Sequence, residues 1–195
     1  MVAQTSTMVP LGTPAPPFSL PEAEGGTLSL QDLSRAQALV VMFICNHCPY
    51  VKHLRADIAR LADDYQPRGV AIVGINSNDG ERYPDDGFAA MAAEKRSAGY
   101  RFPYAHDADQ SVAKAYRAAC TPDFFLYDQA RKLYYRGQFD DSRPKNALPV
   151  TGKDLRTALD SCLAGLPAPS DQRPSMGCNI KWKPGAEPAW FPVAR

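Results

Sequence analysis

The chain has 195 residues, 45% of them hydrophobic and 22% charged, with 22 Lys and Arg against 21 Asp and Glu for a net charge of +1. This is the composition of an ordinary globular protein, and a chain of this length buries about 70% of the surface it exposes when unfolded, so its core needs no disulfide staples. The near-zero charge and scattered basic residues exclude an electrostatic footprint for nucleic acid or an anionic membrane, which leaves proteins or small molecules as partners.

Residues 1–12 contain neither a basic n-region nor an apolar h-region, so no secretory signal is expected and the cytoplasm is the default compartment. The N-terminal extension over 8–21 carries Pro10, Pro14, Pro16, Pro17 and Pro21, which block helix and central-strand pairing and predict an extended surface segment. Residues 27–30 lead into a short helical turn at 31–34. The run 38–44, Ala-Leu-Val-Val-Met-Phe-Ile, is unbroken and apolar, as a strand buried on both faces should be. It is far short of the roughly 20 residues that span a bilayer, so no membrane segment is expected.

In 49–65 the apolar positions Val51, Leu54, Ile58 and Leu61 recur at helical spacing, with Lys52, Arg55, Asp57 and Arg60 on the other side. A second apolar strand follows at 69–75, ended by the turn residues Asn76-Ser77-Asn78-Asp79-Gly80. The spacing then predicts a helix over 87–98, a strand over 100–104 and a helix over 110–119. A hairpin over 123–127 and 131–138 turns about Asp128-Gln129-Ala130, and an amphipathic helix over 153–163 closes the body. This order implies an α/β fold with a mixed central sheet flanked by helices, parallel in its first half and antiparallel at the hairpin. Residues 1–165 form the expected redox domain. The segment 166–195 contains Pro167, Pro169, Pro174, Pro184, Pro188 and Pro192, yet it also holds Trp182 and Trp190, so it is expected to be a C-terminal tail packed on the body.

Five cysteines, an odd number, with one C-x-x-C pair point to redox or metal chemistry rather than structural bridges. The pair is Cys45-Asn46-His47-Cys48, at the junction of the buried strand and the helix. A thiolate is the nucleophile in disulfide exchange, and the N–H groups and dipole of a helix start favour one, so Cys45 is expected to attack and Cys48 to resolve. Pro49 is tolerated because first-turn N–H groups lack intrahelical partners. His47 is placed to donate to or charge-stabilise the Cys45 thiolate, and Lys52 adds a positive charge one turn on.

The second element is Cys120-Thr121-Pro122, just before the strand at 123–127. A C-x-x-C at a strand-helix junction followed by Thr-Pro entering a hairpin strand resembles the thioredoxin superfamily. The segment from Gly12 to Leu20, the strand into Phe43-Ile44-Cys45-Asn46-His47-Cys48-Pro49, Gly74-Ile75-Asn76-Ser77-Asn78-Asp79, and the tail from Gly177 to Gly185 narrow it. They resemble the peroxiredoxin-like group of the alkyl hydroperoxide reductase and thiol-specific antioxidant branch that has two cysteines at its active site. The resemblance implies a thioredoxin-like fold and a cis proline at Pro122. It also implies a Thr121-Pro122 loop that faces the dithiol and presents backbone to an extended substrate.

Some positions depart from the pattern. If Cys48 is matched to a peroxidatic cysteine, Val41 and Cys45 stand where the peroxide-cradling proline and threonine belong. Thr121-Pro122 stands where an arginine-bearing segment is usual. The apolar residues 39–43 and Ile44 replace the acidic residue and tryptophan of thioredoxin proper, so the sequence names no proton acceptor for Cys48. The expected activity is thiol-disulfide exchange on protein or small-molecule disulfides, by Cys45 and Cys48 through a mixed disulfide. The alternative is a peroxiredoxin-type antioxidant that reduces peroxide, with Cys48 forming the sulfenic acid, Cys45 or Cys178 resolving it, and thioredoxin as electron donor.

A metal-binding or interaction module is the third reading. Cys45, Cys48, His47, His53 and Cys178 are zinc-ligand types, but no second well-spaced ligand pair accompanies them, so neither metal nor cofactor is expected. Cys120 reads as an extra redox partner or a small buried residue, and Cys162 as core packing with Leu155, Leu159 and Leu163. Cys178 lies in a glycine-flanked tail loop from which it could fold back as a resolving thiol. Asp140 and Asp141, before Pro144, read as a solvated loop.

Overall fold

The computed structural model describes residues 3–191. The bounds 1–165 and 166–195 of the two expected units include residues 1–2 and 192–195, which lie outside that range. Strand β4 (Ala38–Phe43) is buried along its whole length. It pairs in parallel with β5 (Val70–Asn76) and antiparallel with β8 (Asp123–Tyr127), so its edges are covered as well as its faces. A strand in that position has no use for polar alternation, which is why its sequence is a continuous apolar run. Beyond it, β6 (Tyr104–His106) pairs in parallel with β5 and β9 (Leu133–Gly137) antiparallel with β8, for the order β6-β5-β4-β8-β9. The fold is the mixed α/β sheet flanked by helices that the element order implies.

Alternate residues of β4 feed two cores. Val40 and Met42 pack with Leu54 and Ile58 of α1 (Pro49–Tyr65) and with Leu155 and Leu159 of α4 (Lys153–Leu163). Leu39, Val41 and Phe43 pack with Val112 and Tyr116 of α3 (Ser111–Tyr116). Helix α2 (Phe88–Ala98) buries Met91 and stops at Gly99, whose φ of 69° continues no helix.

Three local expectations shift. Helix α3 is shorter than 110–119 because Arg117 adopts φ 54° and turns the chain out. Strand β6 lies at 104–106 rather than 100–104: Pro103 has no N–H to donate, so the ladder opens at its carbonyl, which accepts from Gly74 at 3.0 Å. Tyr100 and Phe102 are instead buried in the first core. The proline-rich extension is not wholly a surface segment. Phe18 and Leu20 are buried, and β2 (Ser19–Pro21) pairs with β3 (Thr27–Ser29), the prolines flanking this ribbon or closing its end.

The tail runs back across β9, where Gln138 N–H donates to the Arg173 carbonyl at 2.8 Å and Ser175 Oγ donates to the Gly137 carbonyl at 2.6 Å. It then forms β10 (Met176–Asn179), the middle of a small antiparallel sheet between β1 (Ala3–Thr5) and β7 (Cys120–Thr121). Ile180 and Trp182 are buried in the second core. Among the described residues, no helix is long and apolar enough to cross a membrane.

Candidate active site

Helix α1 begins at Pro49, and its N-cap is Cys48 in an extended conformation (φ −65°, ψ 123°). Cys45 therefore sits three residues before the cap and two past the end of β4, in the turn that joins sheet to helix. The Thr121-Pro122 peptide bond is cis, and Thr121 faces both sulfurs. Its Oγ1 lies 3.3 Å from Cys45 Sγ, while its carbonyl accepts from Cys48 Sγ at 3.1 Å. Pairing of β10 with β7 puts Cys178 opposite Thr121 and brings a third sulfur onto Cys48. All three thiols are buried: Cys45 is 2% exposed, Cys48 0% and Cys178 3%.

The electrostatics distinguish the three. The Cys178 thiol and then the Cys45 thiol donate hydrogen bonds to Cys48 and hold it below the ordinary thiol range, against the opposing effect of burial. Burial pushes Cys45 up, helped by its hydrogen bond to Cys48 and by the Asp86 carboxylate. The hydrogen bond to Cys48, and then burial, push Cys178 up. Of the three, Cys48 is thus the thiol whose pKa is lowered; while protonated it donates to the Thr121 carbonyl, a bond it gives up on ionising. The helix starts at Pro49, where the sequence spacing put it, so Cys48 at the cap lies nearer its N-terminal field than Cys45 does.

Asp86 was not singled out from the sequence. It ends a short 3₁₀ turn before α2 and is 0% exposed. One of its oxygens accepts from the Asn46 and His47 amides at 2.7 and 3.3 Å, and the other from His47 Nδ1–H and from Asn78 Nδ2 at 2.7 Å. Those donors outweigh the burial that would raise it, and its carboxyl is held below the usual range. Asn46 is tied down at both ends, accepting from the Tyr104 hydroxyl at 2.9 Å and donating to the Asp85 carbonyl at 2.7 Å. Nothing in an Asp-Asp-Gly loop signals a buried carboxylate, because only the return of the chain from β5 places it against the dithiol turn.

His47 spends its Nδ1 on Asp86 and stacks on Tyr83, with ring centroids 5.6 Å apart. Cys45 Sγ, a His47 ring nitrogen and an Asp86 oxygen lie within 4.8 Å of one another. Each Asp86 oxygen already accepts two N–H groups, so this trio is a hydrogen-bonded wall and lacks the free carboxylate that a cation would need.

The remaining candidates lie elsewhere. Lys52 is exposed, and His53 pairs through Nε2 with Ser142 Oγ at 2.5 Å. Cys120 is fully buried beneath the loop and its thiol points to the Pro122 carbonyl at 3.5 Å; burial pushes its pKa up. Cys162 is half-buried against the first core, where burial raises it to about 11. Asp140 is buried rather than solvated, accepting from the Thr151 and Gly152 amides at 2.6 and 2.7 Å and so fastening the entry to α4.

Comparison with known proteins bears on the family and the fold. A solved structure of an uncharacterized conserved protein from Geobacillus kaustophilus is 54% identical, covering 95% of this chain and 99% of that one with a TM-score of 0.93. A Mycobacterium tuberculosis protein provisionally named a peroxiredoxin is 26% identical over 117 residues, 60% of this chain and 69% of its own. A thiol:disulfide interchange protein of the thioredoxin family from Chlorobium tepidum shares the fold at 18% identity, covering 80% of this chain and 99% of that one with a TM-score of 0.60. Residues 11–136 match the AhpC/TSA family, so the chain belongs to that peroxiredoxin-like branch of the thioredoxin superfamily, a family of thiol-based redox proteins.

Proposed function

We propose that the chain is a thiol-disulfide oxidoreductase that works through Cys45 and Cys48, with Cys48 as the attacking thiolate. The observation that carries this reading is the meeting of both sulfurs of the pair on Thr121, with Cys48 capping α1 and its pKa lowered. In the step proposed, Cys48 attacks one sulfur of a protein or small-molecule disulfide, and the other sulfur leaves as a thiolate and takes a proton. Cys45 then gives up its proton, attacks the Cys48 sulfur and releases the second substrate thiol, closing a Cys45-Cys48 disulfide. The His47-Asp86 pair, within 4.8 Å of Cys45, is the group to receive that proton. Thr121 and Pro122 form the wall against which the sulfurs are held, and a dithiol reductant such as thioredoxin would return the site to its reduced state.

Free thiols of this kind suit the cytoplasm, the compartment this reading assumes. The unit 1–165 would carry the chemistry and 166–195 would be the tail packed on it; the seating of β10 beside Thr121 supports that division. Reduced protein should reduce a disulfide such as oxidised glutathione, and Cys48→Ser should lower that rate about a thousandfold or more, because a hydroxyl does not replace a thiolate nucleophile. Full activity in Cys48→Ser overturns the reading.

A peroxidase is the second reading. A low-pKa cysteine followed by proline at a helix start, in an AhpC/TSA family member, favours it. Cys45 in the place of the peroxide-cradling threonine counts against it. Trapping a Cys48 sulfenic acid at low peroxide, with turnover supported by thioredoxin, would establish the activity. Reaction no faster than that of free cysteine would remove it.

A further inference from the structure

The backbone edge of Cys120–Thr121 beside the dithiol is already occupied. Strand β10 pairs with it antiparallel, Cys178 opposite Thr121 and Asn179 opposite Cys120. The approach is closer than any side chain would allow: a Cβ on Gly177 would stand 1.9 Å from the Thr121 carbonyl oxygen. With the strand seated in this way Cys48 is fully buried, the Cys178 thiol lies against it, and the carbonyl opposite Cys178 is the one that Cys48 already contacts at 3.1 Å.

We propose that β10 is a tethered exchange partner and Cys178 a third redox thiol, which resolves the Cys48 mixed disulfide by forming Cys48-Cys178. The proposal rests on Cys48 being the exchange nucleophile. The Cys48 thiolate attacks a disulfide RS–SR′, the Cys48 Sγ–SR bond forms as the RS–SR′ bond breaks, and R′S⁻ leaves and takes from solvent the proton that Cys48 released on ionising. Cys178 loses its proton and attacks the Cys48 sulfur, and RS⁻ leaves with the second proton. The two cysteines are oxidised by two electrons and the substrate disulfide is reduced to two thiols. The cation of Lys181, three residues along the chain, favours the Cys178 thiolate at the moment of attack. Cys45 is held in the turn braced by Asp86, whereas Cys178 stands beside a glycine on a strand of four residues.

The test uses two full-length variants, Cys45→Ser and Cys45→Ser/Cys178→Ser, each treated with oxidised glutathione and mapped by mass spectrometry of its cysteine peptides. Cys45→Ser should lose the glutathione adduct from Cys48 and yield a Cys48-Cys178 peptide pair. The double variant should keep the adduct on the order of a hundredfold longer, because a tethered thiol acts at millimolar effective concentration or above. Equal adduct lifetimes in the two variants, with no Cys48-Cys178 pair in Cys45→Ser, overturn the proposal and leave the Cys48 assignment standing. Absence of any Cys48 adduct in both variants overturns the exchange reading itself, and this proposal with it. Wild-type protein oxidised by one equivalent of oxidised glutathione supplies a check free of substitutions: a Cys48-Cys178 pair among its products supports the proposal, and Cys45-Cys48 alone counts against it.

Discussion

The dithiol turn has two walls built on different principles. On one side the loop between β5 and α2 supplies a buried carboxylate, Asp86, whose oxygens are saturated by the Asn46 and His47 amides, the His47 ring and the Asn78 side chain. On the other side the tail supplies β10, held to Thr121 by strand pairing and to Cys48 by a thiol. Removing the first wall strands several buried donors, each costly to leave unpaired. The second is anchored by Ile180 and Trp182 in the second core, and it meets Cys48 through one strand pairing and one thiol. The difference separates a polar brace from a reactive cover: hydrogen bonds to a carboxylate hold the turn of Cys45 in place, while Cys48 faces a group that can itself react.

The largest effect should come from breaking the polar wall. Asp86→Ala should destabilise the protein by about 3 kcal/mol or more, measured by denaturant unfolding, since it orphans buried donors on Asn46, His47 and Asn78 together. The same carboxyl makes stability pH-dependent. Its folded pKa is depressed below the ordinary 3.8, so its contribution is complete above that value and is lost as pH falls through the folded pKa. Asp86→Asn should flatten the acid limb of the stability curve; an unchanged acid limb would show that the carboxylate is not what holds the turn.

A smaller effect is expected on the other wall. Cys178→Ala removes the leading donor to Cys48 and should shift the Cys48 titration, followed by ultraviolet thiolate absorbance, toward alkaline pH by the worth of one hydrogen bond to a charged group, about 2 kcal/mol. Because Cys48 is depressed in the folded state, the stability it contributes is present above the unfolded thiol pKa and lost as pH falls through the folded value; the variant should narrow that window. No movement of the titration would break the contrast between the two walls.

Gly177→Ala should destabilise the protein by about 3 kcal/mol, the upper end of overpacking costs, because the added Cβ would stand 1.9 Å from the Thr121 carbonyl oxygen and backbone must move. The added Cβ has to displace β10 from the Thr121 carbonyl, so alkylation of Cys48 should quicken severalfold while every thiol is retained. Unaltered alkylation would mean that β10 does not govern access.

Local pattern was enough for the frame. The unbroken run 38–44 became β4, and the helical spacing over 49–65 and 153–163 became α1 and α4 with the same bounds. Cys45, Cys48 and Thr121-Pro122 were visible as motifs, and the fold does bring them together. Strands β1 and β10 were not visible, because strands of three and four residues have no period to count and are defined by a partner distant in sequence. Asp86 was invisible for the same reason, since its burial is created by the Asn46-His47 backbone that meets it.

By itself the sequence determined the thiol chemistry, the α/β order and the placing of a dithiol where a buried strand becomes a helix. These follow from residue type and short-range periodicity, which act within a few turns of chain. Only the tertiary structure decided what surrounds each sulfur and what covers it. Those surroundings depend on polar groups of β7, β10 and the Asp86 loop meeting within a few ångströms, and groups so far apart along the chain have no common register in the sequence.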